Sequence, residues 1–484
     1  MDLQEPITDS GWPPISFIIK QFGPGGSNGG ISMELFQKRI TPSSFAKITL
    51  PAVASMVFMA FYCIVDGVFV ARLIGENALA AINITLPLIN LTFGVGIMLA
   101  AGGSASVGIS LGEGHEEKAC RDFSFLILAG AAIGLALAAL LLPFTGGVVT
   151  LLGATSALYA YCFDYALILI LSIPFAIVKT ILEYFVRTDG NARLSFLLSL
   201  TGGVTNIILD YVFIVPMDMG IRGAALGTAA GYLVPLLLGV LYFAVKKTGL
   251  RFRMPRWNFR FLAGSCSNGS SEMVTELSTG VTTFLFNIVT LRILGENGLS
   301  AITIILYAHY LLNSVYLGFV CGAAPAISYN YGADNRPQLA KIVRYSKNFL
   351  LVSSVLVTAF AIVFSNVLVG IFAPPGSAVF VIAKEGMILF SGCFLFIGFN
   401  IYASGMFTAF GNGRVSALIS FLRAFLFPVA CIILLPAAIG GAGIWLSLPL
   451  SELICLGFTF FFLWRYRFAY HYAGALNPKK PLDA

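Results

Sequence analysis

Long apolar stretches separated by short polar breaks run along this chain from Lys47 almost to its end. A stretch such as FSFLILAGAAIGLALAALLLPF stays apolar over its whole length without a period of two, so it indicates a membrane-spanning helix and not a barrel strand. About 20 apolar helical residues cross the hydrocarbon core of a bilayer. The breaks predict twelve spans, at residues 48–71, 78–110, 123–146, 158–184, 195–215, 223–245, 265–293, 300–329, 348–372, 385–408, 416–438 and 442–466.

The composition also indicates an all-α integral membrane protein. Of the 484 residues, 58% are hydrophobic and 11% are charged, and the mean hydropathy is +0.89. A soluble domain carries about 25% charged residues, so this chain cannot cover itself with polar surface in water. The eight cysteines show no CxxC or Cys/His spacing typical of a metal site, and we expect them to be free, buried thiols.

Positive charge is concentrated on alternate loops. Because Lys and Arg are enriched on the cytoplasmic side of membrane proteins, this bias predicts a multi-pass protein of the plasma (inner) membrane with both termini in the cytoplasm. The net charge of +7 then follows from topology, and the segment KKTGLRFRMPRWNFR is interpreted as a loop near lipid headgroups and not as a nucleic-acid site. The basic loops carry Lys38, Arg39, Lys118, Arg121, Arg187, Arg193, residues 246–260, residues 336–347, Arg414, Arg465 and Arg467.

An internal repeat relates the two halves of the chain. The sequence RLIGENALAAI from Arg72 returns 220 residues later as RILGENGLSAI from Arg292, and GNAR from Gly190 returns as GNGR from Gly411. Six spans in each half give a parallel repeat, with a substrate path expected between the two lobes. The predicted division is a flexible lead-in at 1–40, a first lobe at 41–246, a basic cytoplasmic loop at 247–263, a second lobe at 264–467 and a cytoplasmic tail at 468–484.

Ionisable side chains inside the spans are candidates for function, because a charge at the bilayer centre costs about 2.5–3.5 kcal/mol on insertion scales. Asn206 and Asp210 are four residues apart and therefore share a helix face. If Asp66 packs against them, with Tyr62 a turn away and Thr228 from the sixth span, the group is rich in oxygen. Oxygen ligands suit a hard cation such as sodium, and two carboxylates in one pocket suit a proton, so the pattern leaves both ions open.

This oxygen-rich group belongs to the first half alone. Under the repeat, Asp66 corresponds to Phe286 and Asp210 to Cys431, neither of which is an acid. A purely architectural pair of carboxylates would be expected in both copies, so the asymmetry favours a functional role.

Other charges in the spans have simpler interpretations. Lys179 and Glu183 have i,i+4 spacing and are expected to neutralise each other. Arg423 and Glu452 are expected either to pair across spans or to reach the membrane interface. Glu276 in span seven has no cation at helical spacing and is a secondary candidate facing the central cavity.

Two uncharged features of the spans complete the set of candidates. Pro51 precedes Asp66 in the first span, and a proline within a helix invites a kink. We therefore expect a change of charge at Asp66 to bias that bend. His309 is expected to be a hydrogen-bonded helix residue.

Three groups of motifs span both halves: VDGVFVARLIGENALAAINITLP, RTDGNARLSFLLSLTGGVTNIILDYVFI with GIRGAALGTAAGY, and TELSTGVTTFLFN with GAAPAISYNYGA. Together they resemble the multidrug and toxic compound extrusion (MATE) family, in particular its MepA-like and DinF-like bacterial branches, over about residues 40–465. The resemblance implies a V-shaped pair of six-helix lobes around a central cavity. It also implies alternating access and export of small organic, often cationic and amphipathic compounds in exchange for sodium or protons.

The resemblance further implies roles for individual residues. Pro51 resembles the bending proline of the first helix. Glu276 is similar to a span-seven carboxylate that matters in some branches. The implied ion-coupling residues are Asp66, Asn206, Asp210 and Thr228, with Tyr62 nearby.

The sequence therefore predicts secondary active multidrug efflux by a monomeric antiporter in the bilayer, with sodium or a proton as coupling ion and no cofactor. The alternative is a flippase for a lipid-linked or other amphipathic substrate, which has a similar architecture but usually a more basic cavity. A membrane enzyme would need a metal or nucleophile group, and ATP use would need a Walker loop. The sequence contains neither pattern, so we predict no enzymatic activity.

Overall fold

The fold comes from a computed structural model that describes residue 36 and residues 39–472. Over this part of the chain all regular structure is helical, as the apolar runs predict. A π-helical segment at Leu422–Leu426 joins α13 to α14. The helices are α1 Pro42–Leu73, α2 Glu76–Gly112, α3 Glu116–Leu141, α4 Thr145–Leu151, α5 Tyr159–Thr188, α6 Ala192–Ile214, α7 Gly220–Val245, α8 Phe259–Gly332, α9 Arg336–Val363, α10 Ser365–Gly370, α11 Ala378–Phe390, α12 Phe394–Ala409, α13 Gly413–Phe421, α14 Phe427–Ile439 and α15 Gly441–Tyr466.

Eleven helical segments of the described chain are long and apolar enough to cross a bilayer, and one of them supplies two crossings. Helix α8 has 74 residues, which is about 110 Å at 1.5 Å per residue and far exceeds the roughly 30 Å of a hydrocarbon core. Its backbone leaves the helical region at Gly295, with φ 67° and ψ −161°, a conformation that the missing Cβ permits. The parts before and after Gly295, called α8a and α8b, give the twelve predicted spans within the described residues.

The internal repeat is visible in the backbone itself. Gly75 (φ 118°) follows the first span, and Gly295 (φ 67°) follows the seventh. Gly190 (φ 87°) and Gly411 (φ 78°) follow the fourth and the tenth in the same way. After each glycine of the second pair, an Asn side chain caps the next helix. Both halves therefore turn at corresponding positions by the same local chemistry.

The two lobes meet at a seam of glycines between α2 of the first lobe and α8 of the second. A Cβ on Gly102 or Gly269 would overlap the backbone of the facing helix, and the same holds for Gly112 and Gly332. A Cβ on Gly318 of α8b would likewise overlap the backbone of α1. Gly112 and Gly332 are the last residues of their helices, next to the basic loops. The lobes are thus in close backbone contact at the basic end of the bundle.

The segment between the lobes, residues 246–258, is anchored to the first lobe. The carboxylate of Asp189, directly after α5, accepts hydrogen bonds from Lys246, from the Tyr242 hydroxyl at 2.6 Å and from the Leu250 N–H at 3.1 Å. Burial raises the pKa of the Asp189 carboxyl, while these three donors oppose the rise. Helix α8 begins at Phe259, so the last five residues of the predicted loop 247–263 are helical.

The segment that follows the second lobe, residues 467–472, packs back onto that lobe. The ring of Tyr470 stacks on Phe410 with centroids 4.5 Å apart and an interplanar angle of 5°. Its hydroxyl accepts a hydrogen bond from the Asn412 amide at 2.9 Å. Near the other end of the described chain, Phe36 is buried against Tyr329. Both ends of the described chain therefore lie at the basic end of the bundle, as an even number of spans requires.

Candidate functional site

Asp66 and Asp210 meet inside the first lobe. Asp66 lies on α1 and Asp210 on α6, and these two helices pack side by side. The two carboxyl groups lie within hydrogen-bonding range of each other. Asp210 is 1% exposed and Asp66 is half-buried, so the structure brings a buried acid together with a partly accessible one.

Asn206 and Thr228 lie beside this carboxylate pair. The Asn206 amide donates a hydrogen bond to the Thr228 hydroxyl at 3.4 Å and lies in hydrogen-bonding range of the Asp210 carboxyl. Thr228, on α7, also lies within reach of the Tyr165 hydroxyl. Both Asn206 and Thr228 are buried, and the group therefore draws its oxygen atoms from α1, α6 and α7.

Three oxygen atoms in this group receive no well-formed hydrogen bond from the described residues: Oδ1 of Asn206 and both carboxylate oxygens of Asp210. Buried polar atoms in proteins are almost always paired, and a buried charge requires a partner of opposite charge. A carboxylate pair with amide and hydroxyl oxygens has the donor chemistry of a hard-cation or proton site. Among the described residues no three His, Cys, Asp or Glu side chains gather as a metal site would require.

Glycines allow the helices around the pair to approach closely. A Cβ on Gly227 of α7 would overlap the Asp210 carboxylate, and a Cβ on Gly231 would lie 3.0 Å from the Gly202 carbonyl oxygen. Sequence reasoning missed these glycines. The available signal was the four-residue spacing of Gly223, Gly227 and Gly231, a stripe of small residues that permits close helix packing in membranes.

Tyr62 and Pro51 both lie on α1. Tyr62 is one turn before Asp66, stacks near Phe58 with ring centroids 6.5 Å apart, and packs against α6 at Gly203. Pro51 lies within the helix, next to the stretch of α1 that touches α8b of the other lobe. A bend at Pro51 would therefore change both the position of Asp66 and the contact between the lobes.

A buried polar chain runs from α1 into the first lobe. The Ser55 hydroxyl donates to Ser199 at 2.7 Å, and Ser199 donates to Glu183 at 3.3 Å. Glu183 pairs with Lys179 at 2.9 Å, which confirms the predicted neutralisation on α5. The serines were missed, because a lone hydroxyl in an apolar run carries no pattern of its own.

A narrow cavity lies between the two lobes. It has a volume of about 50 Å³, and its lining comes from both lobes, with Tyr184 and Thr188 on one side and Ser404 and Thr408 on the other. The charged residues of the lining are Glu272 of α8a and Arg423 of the π-helical segment. The lining does not include Asp66 or Asp210, so the cavity and the carboxylate pair are separate in this conformation.

Two second-lobe residues lie near the interface between the lobes or in the aromatic core of the second lobe. Glu272 lines the cavity, and Glu276, one turn later, faces α2 of the first lobe with its Cβ 3.6 Å from the position of a Cβ on Gly94. For the Nε2 atom of His309 the prediction of a hydrogen bond is wrong, because this atom has no partner among the described residues. Its ring packs instead on the rings of Phe390 at 5.5 Å and Phe394 at 5.7 Å.

Arg423 and Glu452 form an ion pair across spans, which confirms one of their two predicted arrangements. Arg423 Nη1 and Glu452 Oε1 are 3.8 Å apart. The other carboxylate oxygen, Oε2, accepts a hydrogen bond from Asn400 at 2.7 Å, and Asn400 accepts one from Thr459 at 2.7 Å. Arg187, predicted to lie on a basic loop, belongs to α5 and is 3% exposed.

Comparison with known proteins places this architecture in a family. The MatE family model matches the chain twice, at residues 51–212 and 273–433, one match in each lobe. The multidrug export protein MepA of Staphylococcus aureus strain NCTC 8325 is 25% identical over 425 residues, which cover 87% of this chain and 93% of that protein. MepA of Staphylococcus haemolyticus is 24% identical over 443 residues, with 87% and 92% covered.

Solved structures support the fold. An outward-facing multidrug resistance MATE family transporter of the MOP superfamily superimposes with a TM-score of 0.85 at 20% identity, covering 91% of this chain and 98% of that one. A MOP superfamily transporter from Pyrococcus furiosus gives the same TM-score and identity. Duplicated matches to the family model, two six-span lobes and a cavity between them agree with one another, and the chain belongs to the MATE family of multi-pass membrane transporters.

Proposed function

We propose that this protein is a secondary active multidrug exporter that moves small organic cations out of the cell in exchange for sodium ions or protons. The observation that carries the proposal is the contact between Asp66 and the buried Asp210, where oxygens of Asp210 and Asn206 receive no well-formed hydrogen bond. The multidrug export proteins to which the chain is similar support the substrate class. They also favour export over lipid flipping.

The carboxylate pair supplies the coupling. Two negative charges in contact repel each other strongly where the dielectric constant is low, so the pair gains from taking up one positive charge. A sodium ion would be held by the carboxylates with Asn206 and Thr228, while a proton would be shared between the two acids. Either ion changes the charge next to α1, and a bend at Pro51 passes that change to the lobe contact.

The central cavity supplies the route for substrate. Its volume of about 50 Å³ is far below the roughly 300–1,000 Å³ of pockets that hold drug-sized ligands. The lobes must therefore separate further to admit one, and alternating access provides that movement. Close glycine contacts at the basic end fit a conformation closed toward the cytoplasm, with both termini on that side and a monomer as the working unit in the plasma membrane.

The test is transport by the full-length protein in proteoliposomes. Ethidium movement is followed by fluorescence while a sodium gradient or a pH gradient is imposed separately. We expect one gradient to drive transport in the wild type and Asp66→Asn to abolish the driven component. Asp334→Asn is the matched control, because that carboxylate pairs with Arg336 at 2.9 Å in the exposed turn between α8 and α9, at the basic end of the other lobe, and should leave transport nearly intact.

Two results would contradict the proposal. Ethidium transport that responds to neither gradient in the wild type would remove ion-coupled export. Full gradient-driven transport by Asp66→Asn, in protein of normal abundance, would remove the carboxylate pair as the coupling site.

A further inference from the structure

The cavity between the lobes contains a cation of the protein's own. Arg423 lines the cavity together with Glu272 and is 8% exposed. Its Nε has no hydrogen-bond partner among the described residues. The single carboxylate among the described lining residues, which is to receive organic cations, therefore shares the cavity with a buried guanidinium group.

The partner of Arg423 holds it only loosely. The distance from Nη1 to Glu452 Oε1 is 3.8 Å, whereas charge-assisted hydrogen bonds measure about 2.7–2.9 Å. The other oxygen of Glu452 is fixed by Asn400 at 2.7 Å, so the carboxylate cannot turn fully toward the arginine. Arg423 also lies within electrostatic range of Glu272 and His309.

The π-helical geometry of the backbone around Arg423 has a specific cause. Pro428 has no N–H, so it cannot donate to the carbonyl of Ala424, and the Phe427 N–H donates to the Leu422 carbonyl five residues back. The turn widens into a π-helical segment, a feature often found at functional sites. Under the repeat the first lobe has Gly202 where the second has Arg423, so this cation is a property of the second lobe alone.

We propose that Arg423 is a resident cation of the cavity that is shared between Glu452 and Glu272 when substrate is absent and pairs with Glu452 alone when an organic cation binds to Glu272. Arg423 thereby determines specificity, because its positive charge repels each cationic substrate and repels a dication about twice as strongly. The inference rests on the proposed function and adds a residue that sets the preference among cations.

Binding to the purified full-length protein tests this. Dissociation constants are measured by calorimetry for tetraphenylphosphonium, for the dication dequalinium and for the uncharged triphenylphosphine oxide. Arg423→Gln should bind tetraphenylphosphonium about tenfold more tightly, the scale of one unit-charge interaction over roughly 12 Å at an effective dielectric constant of about 20, and dequalinium should gain more. Triphenylphosphine oxide should be unaffected, and Arg423→Lys should resemble the wild type.

Glu452→Gln gives the opposite prediction. Without its carboxylate partner Arg423 is left to Glu272, so both cations should bind more weakly than to the wild type. Unchanged or weaker cation binding by folded, monodisperse Arg423→Gln would overturn the inference. Unchanged or tighter cation binding by Glu452→Gln would overturn it as well. If Arg423→Gln does not fold, Glu452→Gln serves as the test on its own. Wild-type protein that binds neither cation would instead refute the proposed function, and the inference with it.

Discussion

The two lobes of this protein share their turns and differ in their buried charges. The first lobe holds two acids in contact, Asp66 and Asp210. The second lobe has Phe286 and Cys431 at the corresponding positions. It holds a cation instead, in the π-helical segment that lines the cavity.

The segments that follow the two lobes show the same contrast. Asp189 anchors the segment after the first lobe through Lys246. Phe410, 221 residues later, anchors the segment after the second lobe by stacking on Tyr470. The same position in the fold is thus fixed by charge in one copy and by aromatic packing in the other.

These differences show which features a duplicated fold keeps. Turns require glycine at positive φ and a side-chain cap, and few other residues meet those demands, so they persist in both copies. Buried side chains only need compatible neighbours, so each lobe has acquired its own chemistry. We infer that the first lobe handles the coupling ion and the second lobe discriminates among substrates.

The largest effect on transport is expected from substitutions in the acid pair, compared with substitutions at the corresponding position of the second lobe. Asp210→Asn should reduce gradient-driven ethidium transport to background, because the pair loses the charge that attracts the ion. Cys431→Ala should stay within about twofold of the wild type, since a buried Cys acts as a small apolar residue. Proteoliposome transport rates check both variants. Equal loss in the two would end the functional division between the lobes.

Gly227→Ala should have the next largest effect. The added methyl group would overlap the Asp210 carboxylate and force it from its position, so ion-driven transport should fall about tenfold to a hundredfold, the scale of small misplacements at functional sites. Gly457→Ala is the control, since a Cβ there meets no atom within 4 Å. Identical transport rates for the two variants would argue against close helix packing as the device that positions Asp210.

Stability should depend on the ionic anchor of the first lobe. Asp189→Asn leaves Lys246 buried without its counter-charge, which should cost about 3 kcal/mol of folding free energy. Denaturant titration in detergent micelles measures the loss. The double variant Asp189→Asn with Lys246→Met should recover part of it, and a double variant as unstable as the single one would count against the ion pair.

The aromatic anchor of the second lobe should yield the smallest effect. Tyr470→Phe keeps the stacked ring on Phe410 and removes the hydrogen bond from Asn412 at 2.9 Å. The same titration should show a loss of about 1 kcal/mol, the usual net value of one neutral hydrogen bond. A loss as large as that of Asp189→Asn would mean that the hydroxyl, and not the stacked ring, holds this segment.

Much of the fold could be predicted from the sequence. Continuous apolar runs, alternating basic loops and the repeat of GEN indicated twelve spans in two lobes, because a bilayer imposes helix length and hydropathy directly on the chain. The Lys179–Glu183 pair followed from i,i+4 spacing. The start of α8 at Phe259 could not be predicted in this way, since a basic loop and the first turn of a helix have similar compositions.

Contacts between remote segments required the tertiary structure. The sequence indicated that Asp66 and Asp210 were unusual, but only packing of α1 against α6 shows that they touch. It singled out Glu276, and only the packing of α8a shows that Glu272, one turn earlier, lines the narrow cavity. It expected a hydrogen bond for His309, whose ring packs on Phe390 and Phe394. Local periodicity sets which residues share a helix face, while the angle of each face toward its neighbours depends on how all twelve spans pack.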